Sequence, residues 1–196
     1  MVSVYAISSP TGKISPQPWL TAPETRTVVE ALTADGAEVR FVGGCVRDAM
    51  ARRPVTDVDI GTPDKPETVL GLLEKAGIKA VPTGIEHGTV TAVVGDRKFE
   101  ITTLRRDVET DGRRAKVAFT DDWMIDSERR DLTINALSAT PDGDVYDPHD
   151  GISDLAYGKI RFVGLAADRM EEDVLRLLRF FRFYGLFGQP PPDPDA

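Results

Sequence analysis

Asp57 and Asp59 in the string TDVDIGT are separated by one apolar residue. On a strand, residues two apart point to one face, so both carboxylates converge on the same side. Taken alone, the pair reads equally well as a solvated strand end. A third carboxylate tips the reading: in KFEITTL, Phe99 and Ile101 alternate with Glu100 and Thr102, so Glu100 projects away from the core, as Asp57 and Asp59 do opposite Val58 and Ile60. Three carboxylates on one sheet face outline a magnesium site. Upstream, Gly43 and Gly44 follow a predicted strand and open a helix, presenting backbone amides and a helix N-terminus to an anion such as phosphate. Arg47 lies on the first turn of that helix. A Gly-Gly after a strand is by itself more often a turn than a cradle; its specificity comes from the carboxylates that follow.

Residues 1–21 carry Ser, Pro, Gly and Thr without periodicity and read as an N-terminal arm. Helix is expected over 21–32, strand over 37–42, helix over 45–53 up to Pro54, strand over 56–62 and an amphipathic helix over 65–76. Two strands, 88–95 and 98–104, flank an Asp96-Arg97 turn. The polar stretch 105–122 has no hydrophobic face and reads as a mobile loop, with Trp123 anchoring its end. Helix is expected again over 128–139, then a turn-rich segment, then one long helix over 167–186 ending at Gly188. The fold class is therefore α/β (α+β), with a domain change near 140–155.

The chain has 196 residues, 41% of them apolar, and 24 Lys plus Arg against 32 Asp plus Glu, a net charge of −8. That acidity argues mildly against nucleic acid. A local strip answers it: between Arg97 and Lys116 seven basic residues stand against four acidic ones. A single cysteine, Cys45, excludes an internal disulfide, and with two histidines it nearly excludes nitrogen and sulfur metal sites. Cys45 reads as small packing, His87 as a strand-end support and His149 as structural. No apolar run approaches the roughly 18 to 20 residues of a membrane span, and the N-terminus lacks a basic segment followed by an apolar one, so a soluble, cytoplasmic protein is expected.

The string FVGGCVRDAMARRPVTDVDIGT at 41–62 resembles the signature of nucleotidyltransferases with a polymerase-β-like head, in particular class II tRNA nucleotidyltransferases (CCA-adding enzymes) and bacterial poly(A) polymerases. RRDLTINAL at 129–137 is similar to the family's nucleotide-contacting motif, DPHDGISDL at 147–155 to its head-to-neck hinge, and EEDVLRLLRFFRF at 171–183 to its neck-helix motif. The resemblance runs from about Arg40 to Gly188. It implies a mixed-sheet head over 22–140, followed over 141–196 by the hinge and the first helices of an all-α neck, with body and tail absent.

Residue by residue, the resemblance implies that Asp57 and Asp59 bind magnesium and that Glu100 completes the catalytic carboxylates. Gly43, Gly44 and Arg47 would hold the triphosphate; Arg130, Asp131 and Asn135 would lie near the nucleotide's phosphate or sugar. Asp173 and Arg176 would read the base, with Arg179 and Arg182 supplying further charge. The implied activity is template-independent addition of C and A, from CTP and ATP, to the 3′ end of tRNA. Poly(A) polymerase is the runner-up and an enzyme adding only CC or only A a further option. The long loop between Leu104 and Arg130 argues against CC-only addition, because CC-adding relatives resemble the family but lack that flexible element. From another class comes a non-catalytic nucleotide- or RNA-binding module, which would have no need of three repelling carboxylates.

Overall fold

The computed structural model describes residues 9–111 and 114–194. In chain order its strands are β1 (Gly12–Lys13), β2 (Arg40–Val42), β3 (Val58–Thr62), β4 (Lys79–Gly84), β5 (Thr89–Val94), β6 (Arg97–Thr103), β7 (Arg105–Asp111), β8 (Arg114–Phe119), β9 (Ser138–Ala139) and β10 (Asp144–Tyr146). Its α-helices are α1 (Pro18–Thr21), α2 (Pro23–Leu32), α3 (Gly44–Met50), α4 (Pro66–Lys75), α5 (Trp123–Glu128), α6 (Gly151–Tyr157), α7 (Ala166–Glu172) and α8 (Leu175–Phe187).

Eight strands form one sheet in the order β1-β10-β9-β2-β3-β6-β5-β4. β3 and β6 pair in parallel, Asp59 opposite Glu100, whereas both pair antiparallel with their outer neighbours. Val58, Ile60, Phe99 and Ile101 point to one face and pack into a core with Val28 and Leu32 of α2 and Val69 and Leu73 of α4. The period of two then forces Asp59 and Glu100 onto the other face. Gly61 is required by a close approach: a Cβ there would stand 3.0 Å from the Trp123 ring. A second core joins Leu132 and Ile134 to Ile160, Phe162, Phe180 and Phe183, fixing α8 to the rest of the chain.

The stretch expected to be a mobile loop contains instead the β7–β8 hairpin, a two-stranded sheet of its own. Its strands are joined by a backbone ladder, and of its described apolar side chains Val108 and Phe119 are exposed. The helix expected over 128–139 is also corrected. α5 ends at Glu128, and the short apolar run after it becomes a 3-10 turn (Thr133–Asn135) and then β9. The long helix over 167–186 is two helices, broken at Asp173, whose backbone is extended (φ −157°, ψ 107°). β4 and α6, not expected from the sequence, are an exposed edge strand and a short helix. The sheet also takes in β1 and β10, from outside the 22–140 expected for the head.

Candidate active site

β3 and β6 place Asp59 and Glu100 side by side as direct cross-strand partners. Asp59 is half-buried, while Asp57 and Glu100 are exposed. Burial, then the charge of Glu100, then that of Asp57 push the Asp59 carboxyl from 3.8 up to about 6, against the pull of Arg130. Among the described residues no group of three or more His, Cys, Asp or Glu side chains is arranged to hold a metal. A hard ion of the magnesium type needs no such group, because it commonly takes one or two carboxylates and fills its shell with substrate phosphate and water oxygens. Asp57 and Asp59 fit that demand: they offer oxygen donors only, with a repulsion on Asp59 that Arg130 offsets only in part and a cation would relieve.

Gly43 makes the turn into α3 with φ 69° and ψ −120°, and a Cβ on it would meet Arg130 Nη1 at 3.2 Å. Its own amide donates to the Leu137 carbonyl. Gly43 therefore contributes the turn and the close approach of Arg130, and not an anion-binding N–H. From α3, Arg47 donates to Asn135 Oδ1 (2.6 Å) and to both carboxylate oxygens of Asp48, and its guanidinium lies 4.9 Å from the Phe183 and Phe187 ring centres. The Asn135 amide donates to Asp131, which also accepts from Arg179 Nε at 2.6 Å. Burial would raise the Asp131 carboxyl, but the Arg179 bond and charge and the Asn135 amide outweigh it and hold the group below its ordinary range. One chain of polar contacts thus ties α3, the 129–137 segment and α8 together.

On α8, Arg176 donates to Glu172 (2.6 Å) and to the Arg129 carbonyl, and Asp173 Oδ1 caps the helix through the Leu175 amide. Because the break falls at Asp173, this residue and Arg176 do not share one regular helix face as the spacing suggested; the cap brings Asp173 to the same cavity. That cavity, of about 620 Å³, is lined by Gly43, Gly44, Arg47, Asp59, Arg130, Asp131, Asn135, Asp173, Arg176 and Arg179. Asp57 and Glu100 line an adjoining groove, also about 620 Å³, in which Asp59 takes part as well. Arg182 lies outside both linings and stacks beside Phe183, 5.8 Å from its ring centre.

Sequence reasoning passed over Asp126. Only 3% exposed, it accepts from Arg129 Nε and Nη2, from Arg130 Nη2 and from the Arg105 amide at the base of the hairpin. Burial raises its carboxyl, but Arg130 and Arg129 outweigh that and hold it low. The spacing D-x-x-R-R, three and four residues along a helical turn, was the available signal. Arg105, whose guanidinium donates to the His87 carbonyl, and Asp107 carry the hairpin into the cavity wall. Cys45 is fully buried, which pushes its thiol up to about 12 and leaves it a packing group.

Known proteins resemble the chain over most of its length. The pattern describing the Poly A polymerase head domain matches residues 39–161. The chain is 48% identical over 155 residues to "CCA tRNA nucleotidyltransferase 1, mitochondrial" of Danio rerio, covering 79% of this chain and 36% of that protein. It is 46% identical over 158 residues to the CCA-adding enzyme of Lactobacillus delbrueckii subsp. bulgaricus, covering 80% and 39%. Among solved structures, the Bacillus stearothermophilus CCA-adding enzyme in complex with CTP superposes with a TM-score of 0.79 at 33% identity, covering 92% of this chain and 42% of that one. A tRNA nucleotidyltransferase complexed with a primer tRNA and an incoming ATP analog gives 0.69 at 28% identity, covering 86% and 47%. The chain thus spans about two-fifths of the length of the curated relatives it matches.

Proposed function

The chain belongs to the Poly A polymerase head-domain family, and from that premise we propose that it adds C and A, without a template, to the 3′ end of tRNA. The carrying observation is the Asp59–Glu100 pair beside a cavity that gathers Arg47, Arg130, Asn135 and Arg179. The relatives' names and the CTP-, ATP- and tRNA-bound neighbours support the same reading.

In the proposed reaction the 3′-oxygen of the RNA bonds to the α-phosphorus of CTP or ATP. The α–β phosphoanhydride breaks, and pyrophosphate departs with its electron pair. Arg47 and Arg130 orient and neutralise the triphosphate; Asn135, itself fixed by Asp131, holds Arg47, and Asp126 holds Arg130. Asp173 offers acceptors and Arg176 donors to an exocyclic amine and a ring nitrogen, the pattern that cytosine and adenine share and that uracil and guanine reverse. Arg179 and Arg182 supply further positive charge. This family is metal-dependent; we assign magnesium, held by Asp57 and Asp59 with Glu100 beside them. When bound it lowers the pKa of the attacking hydroxyl and stabilises charge on the phosphoryl oxygens. Residues 22–140 supply the transferring head, whose sheet β1 and β10 complete from either side in sequence, and 141–196 the hinge and first neck helices. Cytoplasmic residence, in keeping with the single buried thiol, belongs to the same proposal; no described helix is long and apolar enough to cross a membrane.

Poly(A) synthesis is the second reading, favoured by the family's descriptor. Incubation with tRNA lacking CCA, tRNA ending in CC and an unrelated RNA, each with one labelled nucleoside triphosphate, separates the two. CCA addition requires C on the first substrate, one A on the second and nothing on the third. Long A tracts on all three would establish poly(A) synthesis instead.

A further inference from the structure

The bulge in β4 has no part in the reading above. β4 pairs with β5 from Lys79↔Val93 to Val81↔Thr91 and then shifts, so that Gly84 faces Thr89. In an unbroken ladder Thr83 would face Thr89; the extra residue lets it reach back, and its Oγ1 lies 2.8 Å from Thr91 Oγ1. Bulges re-aim side chains in this way beside active sites. Thr91 is the direct partner of Glu100, and Glu100 of Asp59. Direct partners share a face, so Val81, Thr91, Glu100 and Asp59 stand in one row across β4, β5, β6 and β3, and exposed Thr83, re-aimed by the bulge, joins it through its bond to Thr91, which is itself 7% exposed. All five side chains line the groove that shares Asp59 with the nucleotide cavity.

In-line displacement needs the attacking hydroxyl and the leaving pyrophosphate on opposite sides of the phosphorus. With the triphosphate in the arginine-lined cavity, the RNA end must reach Asp59 through this groove. Strands lie about 4.8 Å apart, so Thr91 stands one strand from Glu100 and two from Asp59; a 3′-OH held over the Asp59–Glu100 pair leaves its vicinal hydroxyl on the Thr91 side. The threonine pair uses one O–H between its members and keeps a second donor and free acceptor capacity. A ribose 2′-OH, itself donor and acceptor, is the group that distinguishes RNA from DNA at such a place. Val81, 39% exposed, and half-buried Val93 add apolar surface on which a base can lie. We propose that this groove seats the 3′-terminal nucleotide of the acceptor RNA and that the Thr83–Thr91 pair reads its 2′-hydroxyl. The inference rests on the transferase reading and adds to it a ribose-specific subsite.

The test is equilibrium binding of the RNA trinucleotide ACC, and of the same trinucleotide with a 2′-deoxy terminal ribose, to the chain, with CTP binding measured in parallel. The all-ribose form should bind about tenfold tighter, the contribution of one hydrogen bond. In Thr83→Val with Thr91→Val, whose side chains keep their volume, the preference should fall within twofold while CTP affinity is unchanged. Equal binding of both trinucleotides to the unaltered chain, or a preference that survives both substitutions, overturns the proposal. Loss of CTP binding by the unaltered chain would count against the transferase reading, and the trinucleotide preference would still decide the subsite.

Discussion

Asp59 is held at a cost that pH can reveal. Its folded pKa, raised from 3.8 to about 6, means that between those values the folded chain binds more protons than the unfolded one. Without divalent ions, stability should therefore fall as pH rises from about 4 to 6. Asp59→Asn should flatten that slope and add about 1 kcal/mol at pH 7, discounted for partial exposure, while lowering nucleotide transfer about 10³-fold or more. Melts across that pH range and single-turnover assays check both; a clear loss of stability in the variant would make Asp59 structural. Asp126 behaves in the opposite sense, since its lowered pKa gives stability present above the ordinary carboxylate value and lost as pH falls below it. Asp126→Ala strands two guanidinium groups and should cost about 3 to 5 kcal/mol in urea unfolding at pH 7, with a smaller difference near pH 3. The two carboxylates also differ in legibility. Asp57, Asp59 and Glu100 declare themselves through strict alternation with buried residues. Asp126 is held chiefly by Arg129 and Arg130, at a spacing that any exposed helical ion pair shares; its burial, which sets it apart, is fixed by segments distant in sequence, among them the Arg105 amide that also donates to it.

The elements were legible where a period repeats and were misread where a single side chain decides. Apolar spacing runs unbroken from 167 to 186, but Asp173 leaves the helix and caps the next one through Leu175. A short acidic side chain competes in this way for backbone amides. Asp173→Ala should lose the cap, about 1 kcal/mol, together with base selection. Asp173→Asn keeps a capping oxygen but converts half of the acceptor edge into a donor, so it should admit UTP or GTP at nearly unchanged stability. Single-nucleotide incorporation beside thermal melts separates capping from reading; unaltered C and A preference in both variants would remove Asp173 from base choice. The hairpin was missed because its residues offer no regular apolar face. Since β7 and β8 share no ladder with the main sheet, replacing residues 107–117 with a short Gly-Ser turn should move the melting temperature by about 2 to 4 °C. Collapse of the fold would show that the hairpin carries the head.

At the scale of the molecule, two cores meet around the 129–137 segment, and α8 belongs to the smaller. Phe180 and Phe183 point inward, while Leu178 and Phe181 are 65% and 62% exposed. Phe183→Ala should cost about 3 kcal/mol or more, and Leu178→Lys less than about 0.5 kcal/mol, in the same denaturant titration. This division was only half legible: the sequence shows an amphipathic terminal helix but not which partner its inner face meets. The parallel pairing of β3 with β6 has a kinetic consequence. Parallel neighbours cannot zip from a tight turn, so Asp59 meets Glu100 across the whole of α4, β4 and β5, a closure slower than that of the β5–β6 hairpin. This slow pairing is also the one that presses two carboxylates together. Refolding in stopped flow should accelerate as pH drops from 7 to 5 and lose that acceleration in Glu100→Gln. The charge repulsion that leaves this sheet face open to a cation should thus also slow the chain's own arrival at its native state.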